Sequence, residues 1–163
     1  MKFDDKHVLT KPAKTVMKMY SDKAFFERKY KELGAWDIEV LEHSKSDKAF
    51  RIKCRFQIKN DAPLPDFAKK FLGESMSVTQ TDTWDLVRMT GHIDTELKGT
   101  PVKVSADMAL KDQGAGSVNE MKWNVSCGIP LIGGKLESVV GNDIQGKSKT
   151  DAKITAKILA DYN

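Results

Sequence analysis

The side chains in this chain that could do chemistry are three histidines, two cysteines and a scatter of carboxylates. None of them has the spacing that such chemistry usually needs. His7, His43 and His92 form no HxxxH pair, and neither Cys54 nor Cys127 belongs to a CxxC, so no metal site is expected. All three histidines fall in or beside strand-like runs and read as ordinary strand or surface residues. No GxSxG elbow surrounds any serine, so nucleophilic catalysis has no signature and no catalytic residue is assigned on that ground. Gly133-Gly134-Lys135 opens a helical segment, where free N–H groups attract anions. It lacks the rest of a phosphate loop and reads as a tight strand-to-helix corner. No cofactor is implied.

Composition narrows the classes further. The chain has 163 residues, enough for one domain over 1–163, and 40% of them are hydrophobic, enough for a core. The net charge is +4, but only Arg28, Arg51, Arg55 and Arg88 among the 27 basic residues are arginine. Nucleic acid and phosphate recognition favours the planar fork of arginine, so no nucleic-acid partner is expected. The lysines alternate with acids and read as a solvated surface, with at most transient contact with an anionic membrane surface. The first residues are charged and no run approaches a membrane span, so a soluble, cytoplasmic protein is expected. Cys54 and Cys127 both fall at apolar positions of strand-like runs. They read as small buried hydrophobes, with a disulfide open only if their strands are neighbours.

The elements that must position any site follow from periodicity. Residues 2–10 suit a first strand. Pro12 suits the start of one short helix, and Ser21-Asp22 can cap a second, ended by Gly34, whose face is read as Ala24, Phe25, Arg28, Lys29 and Glu32 with Phe26, Tyr30 and Leu33 alongside. Six strands follow. The clearest alternates Phe50, Ile52, Cys54, Phe56 and Ile58 with polar residues. Another places Met76, Val78, Gln80, Asp82 and Trp84 on one face. The next inward row reads Val87, Met89, Gly91, Ile93, Thr95 and Leu97, then Val102, Val104, Ala106, Met108 and Leu110, then Asn119, Met121, Trp123, Val125, Cys127 and Ile129. Pro63 and Pro65 interrupt the strands, and Asp66 can cap a short helix carrying Phe67 and Phe71. About 30 proline-free residues with a helical pattern close the chain. Leu136, Val139, Val140 and Ile144 form an apolar stripe that returns at Ile154, Ile158, Leu159 and Tyr162. The fold class is therefore α+β: a late helix laid across a curved antiparallel sheet, an arrangement that encloses space.

This order resembles the START-like (SRPBCC, helix-grip) superfamily, which includes polyketide cyclases, birch-pollen-allergen-like proteins and lipid-transfer START domains. More narrowly, the chain resembles a bacterial START-like family classed as a domain of unknown function. That resemblance rests on Pro63-Leu64-Pro65-Asp66-Phe67-Ala68-Lys69-Lys70-Phe71-Leu72-Gly73, on Thr83-Trp84, and on Ile129-Pro130-Leu131-Ile132-Gly133-Gly134-Lys135-Leu136-Glu137. It implies a seven-stranded curved antiparallel sheet gripping a long C-terminal helix, two short helices after the first strand, and an apolar ligand cavity. The expected function is binding or transport of a small hydrophobic or lipid-like molecule.

The candidate ligand-binding residues come from the inward rows: Phe56, Met76, Val78, Gln80, Asp82, Trp84, Met89, Val104, Met108, Met121 and Trp123. Val140 and Ile144 join them from the final helix, and Phe67 and Phe71 as a lid. Methionines and aromatics adapt to irregular apolar ligands, although plain core packing explains each one equally well. Between the two apolar stripes of the helix, Lys147 and Asp151 fall on the inward face four residues apart, where they can pair. They are expected to orient a headgroup with Gln80 and Asp82, unless the middle of the helix is solvent-exposed or kinked near Gly146. An enzyme of cyclase or hydratase type would need a cavity acid or base, for which Asp82, Lys147 and Asp151 are the plausible groups. An interaction module with a filled core is the third reading.

Overall fold

The computed structural model describes residues 1–61 and 64–163. The chain runs β1 (Lys2–Leu9), α1 (Ala13–Tyr20), α2 (Lys23–Glu32), β2 (Trp36–Lys45), β3 (Ala49–Lys59), α3 (Asp66–Lys69), β4 (Ser75–Asp85), β5 (Thr90–Leu97), β6 (Val102–Gln113), β7 (Gly116–Cys127) and α4 (Gly133–Leu159). The strands form one seven-stranded antiparallel sheet in the order β1-β7-β6-β5-β4-β3-β2. This is the helix-grip arrangement. The expected strand break at Pro63 lies outside the described residues.

Alternation sets which face of each strand is buried. In β3, Phe50, Ile52, Cys54 and Phe56 are buried, while Arg51 and Arg55 face outward and pair with Glu42 and Glu39 of β2. In β6, Val102, Val104, Ala106, Met108 and Leu110 are buried in strict alternation. Two register shifts interrupt the β2–β3 pairing, as bulges that bend a sheet do. Trp84 of β4 stands opposite Gly91 of β5, where a Cβ would lie 2.8 Å from the Trp84 ring. Glycine there lets the indole lie flat across the neighbouring strand, and its other neighbour is the stacked Tyr20 ring at 5.4 Å.

The helices cover the concave face. Asp22 caps α2 by accepting from the Ala24 N–H at 3.1 Å. The buried face of α2 is Phe25, Phe26 and Tyr30, while Ala24 is exposed and Arg28 and Lys29 are half-buried. This corrects the expected face, which gave too much weight to i+3 and i+4 partners of Ala24. The helix α4 packs on β7, β1 and α2, and thus lies along one side of the sheet. Its start is held tightly to the end of β7. A Cβ at Gly133 would lie 2.5 Å from the Cys127 carbonyl oxygen, and Glu137 Oε1 accepts from the Cys127 N–H at 2.8 Å. A further correction concerns the end of a strand. Val87 and Met89 belong to the turn after β4, where Asp85 Oδ1 accepts from the Val87 and Arg88 N–H groups and Met89 has φ +56°. Cys54 and Cys127 are free and lie on β3 and β7, strands that are not neighbours, which excludes a disulfide between them. Among the described residues no helix is long and apolar enough to cross a membrane.

The corner at Gly133 gives a direct test. Gly133→Ala is expected to cost about 1–2 kcal/mol through backbone displacement and to lower the thermal midpoint by roughly 2–8 °C. Gly134→Ala places a methyl where nothing lies within 4 Å, and should leave the midpoint unchanged or raise it. Thermal unfolding followed by circular dichroism compares the two, and equal midpoints would mean that the corner is not a tight contact.

Candidate functional site

α4 lies along β7 and β1, and α1 and α2 cover one end of the inward rows of β3 to β6. The space left between is a cavity of about 490 Å³, closed at one end by α1 and α2. From the sheet, Phe56, Met76, Val78, Trp84, Val104, Met108, Met121 and Trp123 form its apolar wall. Val140 and Ile144 line it from α4, and Gln80, Asp82, Lys147 and Asp151 also reach it. Sequence periodicity thus placed these fourteen candidate residues on the cavity wall.

Three candidates stand elsewhere. Met89 is in the β4–β5 turn, off the wall, because the alternation that suggested it runs past the end of the strand. Phe67 and Phe71 pack half-buried against the core but do not line the cavity. The one-turn helix α3 turns Ala68 and Leu72 inward instead, and of these Leu72 reaches the wall with Leu64. Phe67 instead meets Lys135, whose Nζ lies 6.0 Å from the ring centre.

The N-terminal third supplies wall residues that sequence reasoning did not select. Asp5 and His7 of β1, Tyr20 of α1, and Phe25, Phe26, Lys29 and Tyr30 of α2 all line the cavity, as do Asn119 of β7 and Ser148 and Thr155 of α4. The aromatics form stacks, with Tyr30 on Phe56 at 4.1 Å and Phe26 on Phe50 at 5.8 Å. Inward phase was a usable signal for His7 and Asn119. Tyr20 and Tyr30 required knowing that both short helices cap the open end.

The polar groups fall into two sets. On the sheet, Gln80 Nε2 donates to Asp82 Oδ1 at 2.9 Å, and Thr95 Oγ1 donates to Gln80 Oε1 at 3.4 Å. Asp82 is buried, with Ile52 and Ile93 beside it on the neighbouring strands. Burial pushes its carboxyl up to about 6, against the weaker opposing effects of the Gln80 hydrogen bond and the Lys29 charge. Across the cavity, Lys29 Nζ pairs with Asp151 Oδ1 at 3.2 Å, and Thr155 donates to the same oxygen at 3.2 Å. Ser148 Oγ donates to Asp5 Oδ2 at 2.5 Å and lies 3.4 Å from His7 Nε2. Burial holds the His7 imidazole below its usual value, so it is neutral at pH 7.

Lys147 and Asp151 do not pair with each other. Lys147 Nζ bonds Asp143 at 2.9 Å, and Asp151 is taken by Lys29. An acid four residues before a lysine is the favourable order on a helix, and Lys147 before Asp151 is the reverse. Among the described residues, three buried polar atoms have no hydrogen-bond partner: the Tyr30 hydroxyl, Asn119 Oδ1 and Trp123 Nε1. All three belong to residues of the cavity wall. Each such unmet group costs about 1–3 kcal/mol unless water or a ligand meets it.

Comparison with known proteins now places this geometry. Three solved structures share the fold over 98% of this chain. TTHA0849 from Thermus thermophilus superposes with a TM-score of 0.69 at 14% identity, covering 97% of that chain. Ara h 8.0201 gives 0.66 at 16% identity, also over 97% of its length. The ZhuI aromatase/cyclase from Streptomyces sp. R1128 gives 0.65 at 12% identity over 93% of its length. At these identities the likeness speaks for the fold. A comparison with curated proteins finds no match. The family model described as "Protein of unknown function (DUF2505)" matches residues 5–159. This chain therefore belongs to the DUF2505 family, whose function is unknown, and is built on the START-like helix-grip fold.

Proposed function

We propose that the whole chain acts as one START-like domain that binds or carries a small hydrophobic or lipid-like molecule in the cavity between the sheet and α4. The observation that carries this reading is the cavity itself. About 490 Å³ is left open inside a wall built mostly of methionine, aromatic and branched aliphatic side chains. That volume suits a small-molecule site. Burial of ligand apolar surface, worth about 25 cal/mol per Å² before association costs, would supply the affinity. The open volume weighs against an interaction module with a filled core.

A second reading has one observation behind it. A buried carboxyl pushed up to about 6, as Asp82 is, suits general acid–base chemistry of the cyclase or hydratase kind near neutral pH. Loss of a turnover by Asp82→Asn with retained ligand binding would favour that reading over a carrier.

Native mass spectrometry of the purified protein, followed by lipid analysis of an organic extract, tests the leading reading. A co-purifying apolar molecule near one per chain is expected, together with uptake of a fluorescent fatty-acid or sterol probe. Val140→Trp, which fills the space from the helix side, should weaken probe uptake about tenfold or more while leaving the circular dichroism spectrum unchanged. Uptake equal to that of the parent protein would place binding outside this cavity.

The raised Asp82 carboxyl also predicts a stability profile. In the unfolded chain Asp82 titrates near its ordinary value, so the folded protein holds an extra proton between that value and about 6. The stability this gives is fully present below the ordinary value and is lost as pH rises through 6. Asp82→Asn removes the penalty for a buried charge and should stabilise the protein by about 1–3 kcal/mol at pH 7.5. The gain should shrink toward pH 4. Denaturant titrations at both pH values measure this, and a variant less stable than the parent at pH 7.5 would show that the carboxylate is well satisfied.

A further inference from the structure

Resting on the reading of the cavity as a binding site, we infer that its occupant is an amphipathic amine whose protonated nitrogen is received by Asp82. Five carboxylates line the cavity: Asp5, Asp61, Asp82, Asp143 and Asp151. Its lysines are Lys29, Lys59 and Lys147; Lys29 pairs with Asp151 and Lys147 with Asp143, while Lys59 is exposed and lies 3.9 Å from Asp61. Asp5 accepts from Ser148. Among the described residues, Asp82 alone of the five has neither an ion pair nor a hydroxyl donor. Its one hydrogen bond among the described residues comes from the Gln80 amide to Oδ1, and Oδ2 accepts none there. It is also the most buried of the five, at 6% exposure. An anionic lipid carboxylate would therefore find Lys29 and Lys147 engaged and a buried negative charge facing it. A cation would find that charge unpaired.

The neighbouring rings point the same way. Tyr20, Phe25, Phe26, Tyr30, Phe56 and Trp84 line the cavity with Asp82. Aromatic faces attract a desolvated ammonium and do not attract a carboxylate. The wall already shows this preference, with Lys29 Nζ 5.7 Å from the centre of the Phe25 ring. An ammonium at Asp82 would make a charge-assisted hydrogen bond away from bulk water, the setting in which such bonds are strongest.

Other charges bear on Asp82. Lys29 from α2 favours its ionised form and Asp151 from α4 opposes it, and the two are bonded to each other. Tyr30 from α2 and the Cys54 thiol from β3, itself raised to about 12, are neutral. His7 from β1 faces the Lys29–Asp151 pair. Near neutral pH the group that can respond to a bound cation is thus the Asp82 carboxylate.

Decylamine, decanol and decanoate share one apolar body and differ in the headgroup. Trp84 and Trp123 line the cavity, so their fluorescence reports binding of each. At pH 7.5 decylamine is expected to bind about tenfold or more tighter than decanol and decanoate. Asp82→Asn, which removes the charge and keeps the shape, should erase that advantage while leaving decanol binding within about twofold. Lowering the pH to 5 should weaken decylamine in the parent protein and not in the variant. A loss that persists in the variant would assign the effect to His7 and overturn the inference. So would decanoate binding as tightly as decylamine, or a variant that keeps the preference for amine. If none of the three probes binds, the cavity reading fails and this inference fails with it. Binding without headgroup preference sinks the inference alone.

Discussion

A seven-stranded sheet presents more inward surface than one helix can cover, and the rest of this molecule follows from how that surplus is handled. The position of α4 is fixed at its start, where the absence of a side chain at Gly133 lets the helix approach the Cys127 carbonyl and Glu137 accepts the strand's last free N–H. From that corner the helix runs along β7 and β1. The inward rows of β3 to β6 then need other partners. At one end they find the aromatics of α1 and α2, which stack on Phe50, Phe56 and Trp84. Over the middle they face α4 across open space, and that space is the cavity. Its location follows from where the helix is anchored, so changing the side chains of the wall alters its contents and leaves its place unchanged.

The same constraint explains how a fold persists at 12–16% identity across the compared structures. What must be kept is a pattern of burial. Each strand needs alternation, the corner needs a residue that admits close approach, and the two short helices need one apolar face. Burial alone does not dictate which apolar residue fills an inward position, and the inward rows are the cavity wall.

Legibility in the sequence follows the same division. The inward rows of β3, β4, β6 and β7 were readable because period-2 alternation maps one-to-one onto the sheet face, and they carried most of the wall with them. Alternation carries no mark of where a strand stops, so Met89 was read into β5 although Asp85 folds the preceding residues into a turn. The pairing of Lys147 with Asp151 failed for a different reason. Helical spacing knows only neighbours on the same helix, while Lys29 reaches Asp151 from another. Tyr20, Tyr30 and Lys29 escaped for want of tertiary information as well. Each is an ordinary residue of a short amphipathic helix until that helix is laid over the open end of the sheet. Phe67 and Phe71 show the limit of the i,i+4 argument in a helix of one turn, where the loop on either side decides which face is inward.

The inward row of β4 is where folding and function separate. It reads Met76, Val78, Gln80, Asp82 and Trp84, with an amide and a carboxyl at the centre of an otherwise apolar row. A row whose only task was to hold a core would be more stable with apolar residues there, since a buried charge without a partner opposes folding. Thr95 donates to Gln80 and the amide of Gln80 donates to one oxygen of the carboxyl, so the chain of hydrogen bonds ends at Asp82 Oδ1. Across the cavity the Lys29–Asp151–Thr155 and Asp5–Ser148 groups close on themselves. One polar set is complete without a ligand and the other is not. The unmet polar groups of the wall thus fall on three elements, Asp82 on β4, Asn119 and Trp123 on β7 and Tyr30 on α2, and none of them serves the packing of the sheet.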